Sequence, residues 1–143
     1  MRFSKMATAG VVTTAAAALL SGGMGTAAAA PNYYGALAVS FDSAGELYVS
    51  SATNFPSQDE ADAAALANCD LKPCEVQVRY VNGCVAVAQR GQDYWYGTGA
   101  TEADAVAKAM AATGPDPNPL MVGLGSSQPS TARVHGTDCS TGS

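Results

Sequence analysis

Apolar and polar positions fall into two similar patterns along this chain. Gly35-Ala36-Leu37-Ala38-Val39 and Gly83-Cys84-Val85-Ala86-Val87 are short apolar runs that the flanking turn residues predict as strands. Each is followed by a polar turn, Asp42-Ser43-Ala44-Gly45 in one case and Gln89-Arg90-Gly91-Gln92 in the other. Each turn leads to an aromatic-bearing strand, Leu47-Tyr48-Val49 and then Tyr94-Trp95-Tyr96. An Ala-rich stretch follows both, and high helix propensity predicts helices over Ala61 to Asn68 and Ala105 to Ala112. Ser57 with Glu60, and Thr101 with Asp104, stand at N-cap and N3 spacing ahead of them. Leu66 and Met110 hold equivalent places and are expected to point inward.

After the first helix, Glu75-Val76-Gln77-Val78-Arg79-Tyr80 alternates as a half-buried strand does. Its counterpart in the second copy is expected at about Thr131 to Gly136. The pattern therefore predicts an α+β fold: a duplicated strand–strand–helix(–strand) unit with two helices packed on antiparallel sheet. Unit one covers about residues 33–80 and unit two about 83–137. The stretch 114–130 carries Pro115, Pro117, Pro119 and Pro129 and reads as a mobile loop without a regular element. Ser140 to Ser143 should fray.

The front of the chain follows a different pattern. Arg2 and Lys5 precede an uncharged stretch from Met6 to about Leu20, then Ser21-Gly22-Gly23, then small residues from Thr26 to Ala30. That order is the one a cleavable secretory signal needs. Residues 1–30 are read as the signal, with cleavage after Ala28 or Ala29, and 31–143 as one small domain. The apolar core is shorter than the ~20 strongly apolar residues a bilayer span requires, so no stable membrane insertion is expected after cleavage.

Composition sharpens this picture. The whole chain has 7 basic and 12 acidic residues, a net charge of −5. The first thirty residues carry two of the basic residues and none of the acidic ones, which leaves the remainder at −7. Such acidity argues against binding nucleic acid or anionic lipid, both of which favour basic surface. All four cysteines (Cys69, Cys74, Cys84 and Cys139) follow the signal, and an even count in an exported domain reads as two disulfides. Four cysteines allow three pairings. Cys69–Cys74 with Cys84–Cys139 is the favoured one: the first closes the short Asp70–Pro73 loop and the second ties a strand to the tail. On the chain-entropy model they stabilise by about 2 and about 4 kcal/mol. No metal site is expected, because only Cys69 and Cys74 are close in sequence and the sole histidine is His135.

The segments YGALAVS, NFPSQDEADAAALANC, CEVQVRYVNGCVAVAQ and YGTGATEADAVAKAMA resemble the secreted actinobacterial proteins that carry domain of unknown function 4189. The resemblance covers about Tyr33 to Ala112. It implies a duplicated, disulfide-stapled arrangement in exported proteins, and no established activity. The chain departs from that pattern at its end, where the Pro-rich loop intervenes before Arg133-Val134-His135-Gly136-Thr137-Asp138-Cys139.

No G-x-S-x-G elbow, P-loop, dinucleotide glycine pattern or H-E-x-x-H is present. Two disulfides would leave no free thiol for a Cys–His nucleophile. Paired carboxylates would have to come from Asp42, Glu46, Asp93, Glu102 and Asp104, and these read better as turn and helix-start residues. No catalytic residues and no cofactor are expected. The aromatic positions Tyr94, Trp95, Tyr96 and Tyr48 are the candidate interaction surface, since such side chains dominate binding hot spots. The sequence thus points to a secreted, disulfide-stabilised, non-enzymatic interaction domain, extracellular and free or held at the cell wall, whose partner is a protein or cell-envelope component. The alternative is a small extracellular hydrolase or hydrolase inhibitor, with 114–130 as the inhibitory loop.

Overall fold

Strand β1 (Tyr34–Phe41) turns into β2 (Leu47–Phe55) because Asp42 organises the corner: its Oδ1 accepts from the Ala44 and Glu46 amides at 2.8 and 2.9 Å. Gly45, at φ +83°, supplies the left-handed residue this turn needs. Helix α1 (Gln58–Ala67) follows, and strand β3 (Glu75–Val81) returns antiparallel to β1. The second half repeats the succession with β4 (Gly83–Arg90), β5 (Asp93–Gly99), α2 (Glu102–Ala112), a short α3 (Pro119–Gly123) and β6 (Arg133–Ser140). The computed structural model describes residues 29–142, and Asn32–Ser143 forms a unit of its own. The signal-peptide reading of residues 1–30 lies almost entirely outside the described residues.

The α+β fold is present, and its strands divide into two antiparallel sheets with one long helix each. The strand orders are β2-β1-β3 and β5-β4-β6, so the first strand of each half is the central one. Both helices are capped as the sequence indicates. Ser57 Oγ accepts from the Glu60 amide, and Thr101 Oγ1 accepts from the Asp104 amide at 3.2 Å. The helices begin three residues before the Ala runs, because the capped first turn belongs to them.

Side-chain size decides the layering. Leu37 and Val39 of β1 join Val85 and Val87 of β4, with Leu47 and Tyr80, in one cluster between the sheets. The alternate residues of the same strands are small. Ala36 and Ala38, with Ala52, pack on Ala61 and Ala65 of α1. Cys84, Ala86 and Ala88 pack on Ala105 and Ala109 of α2. The result is helix, sheet, sheet, helix, with large aliphatics in the middle and alanines under the helices. Leu66 and Met110 are half-buried at the two helix–sheet contacts. A fully buried Val contributes on the order of 1.5–3 kcal/mol, so Val85 and Val87 anchor the inter-sheet core.

Three expectations for the C-terminal part need correction. The 114–130 stretch is not without a regular element, because Asn118 and Pro119 open the single turn α3, with Pro at a helix start where its missing N–H costs nothing. The last strand runs Arg133–Ser140, not 131–136, and Ser140 does not fray. Its side chain is fully buried and accepts from the Asn54 amide at 2.8 Å, which ties β6 to β2. The cysteines pair as Cys69–Cys74 and Cys84–Cys139, the latter directly opposite each other on β4 and β6 with Cα atoms 4.0 Å apart.

Candidate functional site

The four aromatic candidates do not share one face. Tyr94 and Tyr96 pack against the inter-sheet cluster. Strand alternation then sends Trp95 to the helix-bearing face of the second sheet, where the Arg90 guanidinium lies 5.9 Å from its ring centroid. Tyr48 stands on the edge strand of the other sheet, next to core-facing Leu47 and so on the opposite side, and is 46% exposed. Burial raises the Tyr96 hydroxyl above its usual range, with the neighbouring Tyr94 adding to the shift. Tyr80 is raised further, first by burial and then by the negative charge of Asp138. Its hydroxyl is buried and has no hydrogen-bond partner among the described residues.

Two polar assemblies emerge that the sequence pattern did not single out. The first centres on Gln89, which is 9% exposed. Its Oε1 accepts from Arg133 Nε and Nη2 at 3.3 and 3.0 Å and sits 3.3 Å from His135 Nδ1. An amide oxygen only accepts, so this contact is a hydrogen bond in the His135 forms that carry a hydrogen on Nδ1. Gln89 Nε2 donates to the Gly91 carbonyl and, at 3.1 Å, to the Tyr94 hydroxyl. Tyr94 also accepts from the Leu47 amide at 3.2 Å, which links the two sheets. Its ring is edge-on to His135 at 5.7 Å.

The second assembly holds the Pro-rich loop. Arg90 Nη1 donates to the Thr113 and Pro115 carbonyls at 2.9 Å each. Its Nη2 donates to the Gly114 carbonyl at 2.8 Å and to Thr113 Oγ1 at 3.3 Å. The Asp116 carboxylate accepts from the Asn118 and Ser130 amides at 2.8 and 2.6 Å and so closes the loop at its base. Those amides hold the carboxyl below its usual range, with a smaller contribution from the Arg90 charge. Beyond this base, α3 presents Leu120, Met121 and Leu124 at 70, 44 and 69% exposure. A signal for Gln89 existed: in Val85-Ala86-Val87-Ala88-Gln89 it continues the Val face. Its polarity, and that of Arg90, made both look like turn residues.

The carboxylates considered for hydrolysis fall at separate places: Asp42 and Glu46 share the β1–β2 turn, Asp93 opens β5, and Glu102 and Asp104 share the first turn of α2. Asp42 is committed to its turn, and Thr101 Oγ1 bonds Asp104 Oδ2 at 2.8 Å. Asp93 is the first residue of β5 and Glu102 lies past its other end, about 20 Å apart for a strand of that length, where hydrolytic pairs need about 5–9.5 Å. Among the described residues, no three His, Cys, Asp or Glu side chains cluster as metal ligands, and no cysteine is free. No helix among them is long and apolar enough to cross a membrane.

The family model described as "Domain of unknown function (DUF4189)" matches residues 34–116. The chain belongs to this family. The DUF4189 match begins with β1 and ends at Asp116, so it takes in five of the six strands and leaves α3 and β6 outside. The Cys84–Cys139 bridge, and the Arg133 and His135 contacts to Gln89, therefore join the DUF4189 segment to sequence beyond it. The chain is also similar to a solved structure titled "NMR structure of Rv1813c from Mycobacterium tuberculosis", at 25% identity, covering 75% of this chain and 74% of that one, with a TM-score of 0.46. No curated protein matches the chain.

Proposed function

We propose that this DUF4189 chain is a secreted, non-enzymatic interaction domain that docks an apolar groove on a protein partner, extracellular or at the cell envelope, through the tip of the 114–130 loop. The observation that carries this reading is the exposure of Leu120 and Leu124 at 70 and 69% on a segment fastened at its base. Exposed aliphatics on a free tail would lose ordering entropy on binding. Here the Arg90 and Asp116 hydrogen bonds have already met much of that cost, which favours affinity. No charged residue stands between Asp116 and Arg133, so the tip is uncharged on an acidic domain. Export is supported by the order of residues 1–30 and by two disulfides, which persist in oxidising compartments.

Affinity capture from culture supernatant and envelope fractions, with mass spectrometry, tests it. Wild type should retain a partner that Leu120→Ser/Leu124→Ser loses while keeping its melting temperature. Equal capture by both proteins overturns the loop as the docking surface. A second reading uses the same fastened loop as an inhibitor of an extracellular hydrolase. Inhibition of a protease or glycosidase by wild type but not by the loop variant would select that reading.

A further inference from the structure

The β1–β2 and β4–β5 turns touch at one end of the sheets, where Gln92 Nε2 donates to the Ala44 carbonyl at 3.3 Å. Beside that contact lies a cavity of about 260 Å3 whose lining includes Gly45, Glu46, Gln89, Gln92, Tyr94 and Arg133. This approaches the ~300 Å3 at the lower end of ligand pockets. Two of its groups are aimed by buried Gln89. Tyr94 accepts from Gln89 Nε2 and from the Leu47 amide, and its own hydrogen meets no acceptor among the described residues. Both oxygen lone pairs are thus engaged by the protein, and the O–H is left to donate elsewhere. Arg133 spends Nε and Nη2 on Gln89 Oε1, while Nη1 meets no acceptor among the described residues. Across the cavity, on the other turn, stands Glu46. The one ion pair among the described residues is Arg79–Asp62, so Glu46 and Arg133 line the same cavity and neither is neutralised by a protein partner.

We infer that this cavity binds a small zwitterion of the amino acid or short-peptide class. The ligand carboxylate sits on Arg133 and the Tyr94 hydroxyl, and its ammonium group faces Glu46. A simple anion would meet the Glu46 charge and a simple cation the Arg133 charge, whereas a zwitterion satisfies both. Gln89 is a positioning residue: it holds the guanidinium and the phenol in place before the ligand arrives, which lowers the cost of binding. This site is separate from the 114–130 tip, and the two can fail independently.

The test is a titration of the purified protein with glycine and with dialanine, followed by amide NMR and calorimetry. Blocked controls are N-acetyl-dialanine and dialanine amide. Glycine or dialanine should shift the Gly45 and Gln92 amides and the Arg133 Nε–H signal. Removing either ligand charge should weaken binding roughly tenfold or more, the equivalent of one charge-assisted hydrogen bond. Arg133→Gln and Glu46→Gln should each do the same, and Tyr94→Phe should cost a few-fold. Glu46 takes part in a hydrogen bond through its backbone amide and, among the described residues, in none through its side chain, so Glu46→Gln stays informative even if Arg133→Gln disturbs Gln89. Leu120→Ser/Leu124→Ser should bind dialanine as wild type does. The assignment is overturned if neither probe shifts these signals at about 10 mM, well above a millimolar dissociation constant. It is overturned equally if blocked and free dialanine bind alike, or if Glu46→Gln binds unchanged.

Discussion

The two halves share a strand order and differ in how each closes the passage from helix to last strand. In the first half, α1 ends at Ala67 and β3 begins at Glu75, and the Cys69–Cys74 disulfide closes the short turn between them. In the second half, Thr113 stands where Cys69 stands in the first, twelve residues after its N-cap in both cases. There the covalent bond is replaced by the Arg90 guanidinium, which gathers the carbonyls of Thr113, Gly114 and Pro115. A short connection can be locked by one bond between its ends. A long one that must carry an exposed helix is instead held at its root and left free at its tip.

The largest expected effect concerns the bridges. Replacing Cys84 and Cys139 with Ser should cost about 4 kcal/mol and replacing Cys69 and Cys74 about 2 kcal/mol, because the longer loop gains more from closure. Urea denaturation of both pairs checks the ranking; a reversed order would mean that the short bridge stabilises α1 in ways beyond loop closure. Next in size, Arg90→Met keeps an aliphatic stem near Trp95 and removes all four hydrogen bonds. It should cost about 2–3 kcal/mol. Amide exchange should accelerate from Thr113 to Asp116 while α1 is unaffected; uniform acceleration would make Arg90 a general core residue and break the comparison.

A second difference lies under the helices. In the first sheet Ser50, opposite Ala38, donates to the Ala65 carbonyl of α1 at 2.8 Å. In the second, Gly97 is opposite Ala86, and a Cβ there would strike the backbone of Ala105 and Ala109. Gly97→Ser, which copies the first half into the second, should lower stability by about 1–3 kcal/mol through overpacking. Ser50→Ala should cost about 1 kcal/mol. A tolerated Gly97→Ser in thermal denaturation would mean that α2 can ride as high as α1. The smallest effect is electrostatic. The Asp116 carboxyl titrates lower in the folded protein than in the unfolded chain, so its contribution is complete above the unfolded value and fades as pH falls through the folded one. Below about pH 4, the Asn118 and Ser130 amide signals should therefore move and their exchange should speed up, with no matching change in β1. Unchanged Ser130 signals down to pH 2 would remove Asp116 as the closing residue.

Much of this architecture could be read from residue order. Alternating Ala and larger aliphatics on β1 and β4 say that both faces are covered, and Ser57 and Thr101 mark the helix starts. The same alternation does not distinguish one broad sheet between helices from two sheets stacked on each other, because a buried Val looks alike under either cover. Gln89 and Arg90 escaped because their roles depend on partners 20 to 50 residues away, Thr113 to Pro115 and Arg133, which no local pattern reports. The 114–130 loop departs from its sequence pattern for a simpler reason. Its prolines suggested irregular chain, while Asn118-Pro119 is itself a helix-start signal. The aromatic strand was legible as a strand, but which of Tyr94, Trp95 and Tyr96 met solvent depended on the second sheet.

The placement of β6 carries a consequence for how the chain is made. β4 is the central strand of its sheet, yet one of its two partners does not begin until Arg133. A ribosome or a translocation pore delivers residues in order, so β4 and β5 emerge with one flank of β4 bare. That flank stays bare through α2 and the whole Pro-rich loop. A row of unpaired backbone groups invites pairing with other chains. The first half faces no such delay, since β3 follows α1 within eight residues. The late arrival of Cys139 and Ser140 thus sets the moment at which the domain becomes complete, and the nascent chain must keep β4 shielded until then.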